Sequence, residues 1–449
     1  MIWFLLTDPV PAFLHIKEKI YAKIQSAKGG LMSIYKKFAA GITVLLLFLA
    51  CSREGANGDI ITITYSHSVD PTGATAALIK AFEKKHPHIK VKFLEKPSDT
   101  GMQHDFYVTA FNGKSDEIDV LDIDVIWPPE FSQAGYLLPL NRFIAKDDFD
   151  ISIYNQGALD AAAFRGKIWA IPKFIDAGLL FYRKDIVKKP PRSWDELIKM
   201  GRKYQQRPDI KYGYLMQAKQ YEGLVCNAVE FVASYGGGFI NGKGEIIIDS
   251  KESIKGLQKL VEIATSDIVP ANINNFTEVE SHTAYIQGQA VFIRNWPYQY
   301  ALANNKRQSK IAGKTGVAPL PAGDAGSAAA LGGWLCAINK YSRHPLAAWE
   351  FLQFVTGMQG QKISALKSSS PPTIPALFKD KDILQANPFF AEKGLQHGLS
   401  AAVARPKAAN YQEISDIIQI HLSKAISGEE TAAEAVDKMA RQMKKAMRR

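Results

Sequence analysis

The chain has 449 residues, 47% hydrophobic and 22% charged, which is ordinary for a soluble globular protein. Its net charge of +11 falls to +7 once the first 50 residues, with six lysines against two acids, are set aside. Much of that remainder sits in the tail at Arg441, Lys444, Lys445, Arg448 and Arg449, a pattern that reads as a solvated helix face and not as a nucleic-acid site.

Residues 1–31 hold Asp8, Pro9 and Pro11 inside an apolar opening and then four lysines, so they read neither as a signal core nor as a domain. They are expected to be a gene-model extension, with Met32 as the start. Residues 32–50 carry Lys36 and Lys37 ahead of an apolar run at 42–49. That run is about half of the ~20 residues a membrane span needs, which favours a cleaved export signal. It ends on Ala50 before Cys51 and resembles a bacterial lipobox, with Phe48 as a departure from the pattern. Cys51 is therefore the expected lipidation site and residues 52–59 a small, polar tether. From Cys51 onward 399 residues remain, more than the ~250–300 that one hydrophobic core usually serves, so two lobes are expected.

The body opens with a β-branched strand at 60–65, followed by an amphipathic helix at 74–85 with Ala77, Leu78, Ala81 and Phe82 on one face. A strand at 89–94, a helix at 102–111 and a buried strand at 118–126, interrupted by Asp119, Asp122 and Asp124, come next. Alternation at this spacing argues for a largely parallel sheet covered by helices. The first half ends at 168–172, and an apolar strand at 177–183 carries the chain into a second lobe. There Ser193 and Glu196 match a capping box, giving a helix through about residue 204. Helices at 222–235 and 250–264, a turn at 236–238 and strands at 245–248 and 290–294 follow. A strand at 331–338 is a candidate return crossing, ahead of an apolar helix at 345–355. A last helix carries Val436, Met439 and Met443 at core spacing. Cys226 and Cys336 lie in apolar surroundings as expected buried thiols, with a disulfide left open.

Zinc-hydrolase HExxH and nucleophile-elbow GxSxG patterns are absent, and Gln308 occupies the first glycine position of what would be a phosphate loop ending at 313–315. No cofactor is expected. Asp122 and Asp124 flank Ile123 and so share one strand face. They are either an acid–base pair, as in an exported glycoside hydrolase, or a sugar-hydroxyl acceptor and a strand-end cap. His67, His86, His88 and His104 carry the other alternative, a metal-binding lipoprotein.

Six stretches then point one way: 122–140 (DIDVIWPPEFSQAGYLLPL), 167–185 (KIWAIPKFIDAGLLFYRKD), 219–224 (KQYEGL), 292–298 (FIRNWPY), 316–321 (GVAPLP) and 331–334 (LGGW). In this order they resemble the extracytoplasmic sugar-binding proteins of ABC importers, and within them the trehalose/maltose-binding branch. The resemblance covers nearly all of the chain from Ile60. It implies an α/β, two-lobed periplasmic-binding-protein fold of type II, with the ligand between lobes joined by crossing strands. Residues 60–172 and 328–375 are expected to form one lobe, residues 173–327 and 376–449 the other.

Sugars present apolar C–H faces rimmed by hydroxyls, so a site needs flat rings plus carboxylate, amide or guanidinium groups. Trp296 beside Pro297, and Trp334 beside Gly332 and Gly333, are the expected platforms. The resemblance implies Asp124 and Asp176 as hydroxyl acceptors, Arg405 as an arginine reaching in from the C-terminal segment, Tyr298 and Gly333 as ligand-contacting positions, and Tyr221 as a further candidate. Three departures fall on the first lobe. The loop at 66–73 lacks the relatives' acidic residue, for which His67 or Asp70 could substitute. The stretch 102–105 lacks an arginine, and Phe174 replaces a tyrosine. A different or smaller sugar is thus open. The expected protein is exported, monomeric, anchored through Cys51 and non-enzymatic, and it delivers a neutral sugar to the permease transmembrane subunits.

Overall fold

The computed structural model describes residues 60–406, 408 and 410–448; the leader, Cys51 and the tether lie outside the described residues. Within this range two sheets form, each covered by helices. In the first, β1 (Ile61–Ser68) pairs in parallel with β2 (Ile89–Lys96) over eight residues and with β3 (Val120–Asp124). Every residue of β3 is buried, as a strand covered on both faces requires. A hairpin of two-residue strands, β4 (Ala163–Phe164) and β5 (Lys167–Ile168), leads into β6 (Ala170–Ala177).

The second sheet centres on β7 (Leu179–Arg183), antiparallel to both β9 (Ala290–Asn295) and β10 (Thr315–Ala318), with β8 (Tyr212–Leu215) parallel to β9. The chain then returns as β11 (Ala329–Ile338), which slots between β3 and β6 of the first sheet, antiparallel to both. Its first two residues pair in parallel with β12 (Ala402–Val403). The expectation of a largely parallel sheet thus holds for β2–β1–β3, for β8–β9 and for the short β11–β12 pair. A strand that crosses directly from the other sheet, without a helical crossover, enters from the opposite end and pairs antiparallel.

The crossing expected at 177–183 is two strands in different sheets, broken at Gly178. A Cβ there would lie 1.9 Å from Glu230 Oε1, and Gly178 N–H donates to the Ala330 carbonyl at 3.4 Å, where the return strand passes. The strand expected at 245–248 does not form; one bridge, Ile240 with Ile246, stands in its place. Asn241 Oδ1 accepts from the N–H groups of Lys243 and Glu245, and this local turn takes donors a ladder would need. The capping box is shifted by one residue. Ser193 caps Trp194–Gln205 through Glu196 N–H, but the Glu196 carboxylate reaches Arg192 N–H.

Trp127, Trp194 and Trp349 are buried packing residues, and Cys226 and Cys336 are buried free thiols. The last helix, Ala432–Ala446, buries Val436, Met439 and Met443 as its spacing predicts. Among the described residues no helix is long and apolar enough to cross a membrane.

Candidate functional site

Strand register builds a floor. Trp334 of β11 sits opposite Asp124 of β3 on one side and Phe174 of β6 on the other, and two residues along β11 Gly332 sits opposite Asp176. Residues two apart share a strand face, so these rows place Asp124, Trp334, Phe174 and Asp176 on one surface, with positions 332 and 334 about 7 Å apart. Gly333 lies between them at φ +135°, and a Cβ there would meet the Phe174 carbonyl at 2.6 Å. Only glycine fits both demands. A Cβ on Gly332 would come within 2.9 Å of the Trp296 ring. The two glycines therefore seat Trp296 and the Phe174 backbone, and do not simply open Trp334 to a ligand.

Facing this floor is a wall anchored by the second sheet. Trp296 follows β9, its ring stacked 4.0 Å from the Arg294 guanidinium, which is itself held by Glu230 and by Gln217 at 3.1 Å. The indole Nε1–H donates to Glu278 Oε1 at 3.1 Å, and Tyr221 Oη–H donates to Glu278 Oε2 at 2.6 Å. Tyr298 Oη lies 3.2 Å from His282 Nδ1. Burial pushes that imidazole down to about 4, so it is neutral at pH 7. Glu278 and His282 were missed by sequence reasoning. The signal was available: Thr277 and Glu280 form a capping box, and positions 278 and 282 share one face of the helix Glu278–Ile286.

Arg405 joins floor and wall. Its guanidinium bonds both oxygens of Asp124 and, at 2.8 Å, Glu222 Oε1. Glu222 also accepts from Tyr411 Oη and Ser415 Oγ, each at 2.5 Å. Asp124 and Arg405, expected as separate ligand groups, are thus bonded to each other. Asp176 differs from them: among the described residues no group donates a hydrogen bond to its carboxyl. Burial first, then the nearby Asp124 charge, push its carboxyl up to about 7 against the pull of Arg294.

His67 stands edge-on to Trp334, ring centroids 5.8 Å apart, with Nδ1 3.0 Å from Asp122 Oδ2 but off hydrogen-bond geometry. The same carboxylate oxygen accepts from Lys173 Nζ at 2.6 Å and Tyr65 Oη at 2.8 Å. Burial works to raise the Asp122 carboxyl, but Lys173 and then His67 outweigh it and hold it at about 2. Asp70 is engaged by Thr72 and by Thr75 N–H, so it closes its own loop.

All ten expected residues border one cleft, whose empty volume is about 1230 Å³ including the solvent at its mouth. Asp122 does not line it, which separates the two aspartates of the hydrolase alternative. The histidines of the metal alternative are dispersed: His86 and His88 face Glu350 at 3.0 and 3.8 Å, while His104 faces Glu130 at 2.8 Å. Among the described residues no group of three or more His, Cys, Asp or Glu is placed to hold a metal ion.

A family model described as bacterial extracellular solute-binding protein matches residues 66–362. A probable ABC transporter-binding protein of Deinococcus radiodurans is 36% identical over 399 residues, 85% of this chain and 91% of that one. The arabinooligosaccharide-binding protein of Bacillus subtilis is 22% identical over 341 residues, 72% and 77% of the two chains. Among solved structures, maltose-bound T. maritima MalE3 is 35% identical with a TM-score of 0.81, covering 86% of this chain and 100% of its own.

Proposed function

Since the chain belongs to the family of bacterial extracellular solute-binding proteins, we propose that it is the component of an ABC importer that holds a neutral sugar between its two lobes and delivers it to a permease. The observation that carries this reading is the cleft itself. It combines Trp296 and Trp334 with Asp176, a buried carboxylate that has no protein donor. A ring face stacks on apolar C–H groups, and a sugar hydroxyl supplies the donor that Asp176 lacks. The 35% likeness to a maltose-bound protein supports a maltose- or trehalose-like sugar, while the departures at 66–73, 102–105 and Phe174 leave room for a smaller one.

Residues 60–172 with 328–375 are the proposed first lobe, and 173–327 with 376–449 the second. A sugar that touches both favours the closed form, which presents a joint surface to the permease. We read the site as binding without turnover. Asp122 is neutralised by Lys173 and Asp124 by Arg405, so neither is free to act as a nucleophile beside an acid. Membership of an extracellular family makes the protein an exported one. Diacylation of Cys51, holding a monomer at a membrane face, is our proposal, since two acyl chains give stable anchoring. Cys51→Ala should then leave the membrane fraction.

A thermal-shift screen of mono- and disaccharides on protein lacking the leader tests the sugar reading, because a ligand of the native state alone raises its stability. A neutral sugar should raise the midpoint. A panel that moves nothing, or a sugar that is hydrolysed, would overturn it.

A further inference from the structure

Outside the expected residues, Glu278 is placed between two of them. One carboxylate oxygen receives the Trp296 indole N–H at 3.1 Å and the other the Tyr221 hydroxyl at 2.6 Å. It opens the helix Glu278–Ile286, an end where a carboxylate is favoured by the helix dipole. Trp296 has the Arg294 guanidinium on a ring face and Gly332 against its six-membered ring, so Glu278 supplies the remaining hold at the indole edge.

We infer that Glu278 is the positioning residue of the ligand wall: it locks the Trp296 ring in its stacking pose and fixes Tyr221 so that its oxygen faces the cleft as an acceptor. The inference rests on the sugar reading above. Two consequences follow from the chemistry. A ring held before the ligand arrives loses less freedom on binding, so the hold contributes to affinity. And because the Tyr221 proton is committed to Glu278, Tyr221 takes hydrogen bonds from the ligand. This side of the cleft therefore reads hydroxyl donors.

The conservative variant separates the two roles. A glutamine amide can still accept the indole N–H, but its NH2 group donates to Tyr221 and turns that hydroxyl's proton outward. The probe is maltose, titrated calorimetrically into the parent, Glu278→Ala and Glu278→Gln. Hydrogen exchange of the Trp296 indole N–H is read in parallel without sugar, and Tm is recorded for each protein. Glu278→Ala should lose about ten- to a hundredfold in affinity with faster indole exchange. Glu278→Gln should restore slow exchange and recover part of the affinity. Glu278→Ala binding maltose within threefold of the parent, or exchanging its indole proton no faster, overturns the inference. A loss in Glu278→Ala that Glu278→Gln does not relieve on either readout does the same. If the parent takes no maltose, that counts against the maltose-like reading, and unchanged indole exchange in Glu278→Ala still overturns the positioning role by itself.

Discussion

The floor and the wall of the cleft are built by different means. On the floor, Asp124, Trp334, Phe174 and Asp176 are placed by backbone pairing between β3, β11 and β6. Changing one side chain there leaves the others in register. On the wall, Tyr221 and Trp296 come from separate segments and meet on one carboxylate, Glu278, so a single substitution frees both. A ladder of backbone hydrogen bonds gives a stiff platform whose chemistry varies residue by residue. A side-chain hub gives a coordinated surface with one point of failure.

The largest expected effect lies where the two meet. Arg405→Ala leaves the buried carboxylates of Asp124 and Glu222 facing each other without their cation. Breaking a buried pair this way destabilises by about 3–5 kcal/mol, and urea unfolding should show it. A loss under about 1 kcal/mol would mean that floor and wall are held together by something else.

Asp176 gives an effect of opposite sign. Its carboxyl is pushed up to about 7 from an ordinary 3.8, so between those values the folded state keeps a proton the unfolded state has released. Stability then falls as pH rises from about 4 to about 7 and levels off above. Asp176→Asn escapes this loss. It should match the parent near pH 4 and exceed it by a few kcal/mol at pH 8, while binding sugar less tightly. Urea midpoints at the two pH values check this, and equal midpoints at pH 8 would contradict it.

Neighbouring glycines sharpen the contrast. Gly333→Ala forces a Cβ onto the Phe174 backbone at a left-handed φ and should cost about 1–3 kcal/mol of stability. Gly332→Ala meets the Trp296 ring instead, so it should spare most of the stability and lower sugar affinity by displacing the wall. Thermal melts set beside calorimetric titrations of both variants distinguish a floor defect from a wall defect.

The smallest effect is at the rim, where Lys219 meets Asp99 at 3.2 Å. A partly exposed pair contributes about 0.2–1 kcal/mol. Lys219→Ala should weaken sugar binding by at most about fivefold, with the deficit shrinking as salt is raised.

Much of this was legible in the chain. All ten expected residues border one cleft, and eight of them sit in short contiguous motifs such as FIRNWPY and LGGW, in or beside strands whose type is set by local pattern. Residue type, strand face and helix caps are local properties, and sequence by itself determined them: the alternating strands and helices, the tryptophans and acids of the motifs, and the glycines beside Trp334. Tertiary structure alone decided which acids are paired with a cation and which line the cleft without one. Asp124 and Arg405 are 281 residues apart and bond each other, Asp122 is taken by Lys173, and Asp176 is left without a donor. It also decided that Gly332 makes room for Trp296 and that Glu278 ties Tyr221 to that ring. Each of these depends on strand register and on elements meeting from distant parts of the chain, and a carboxylate in a sequence carries no mark of the partner that packing will bring to it.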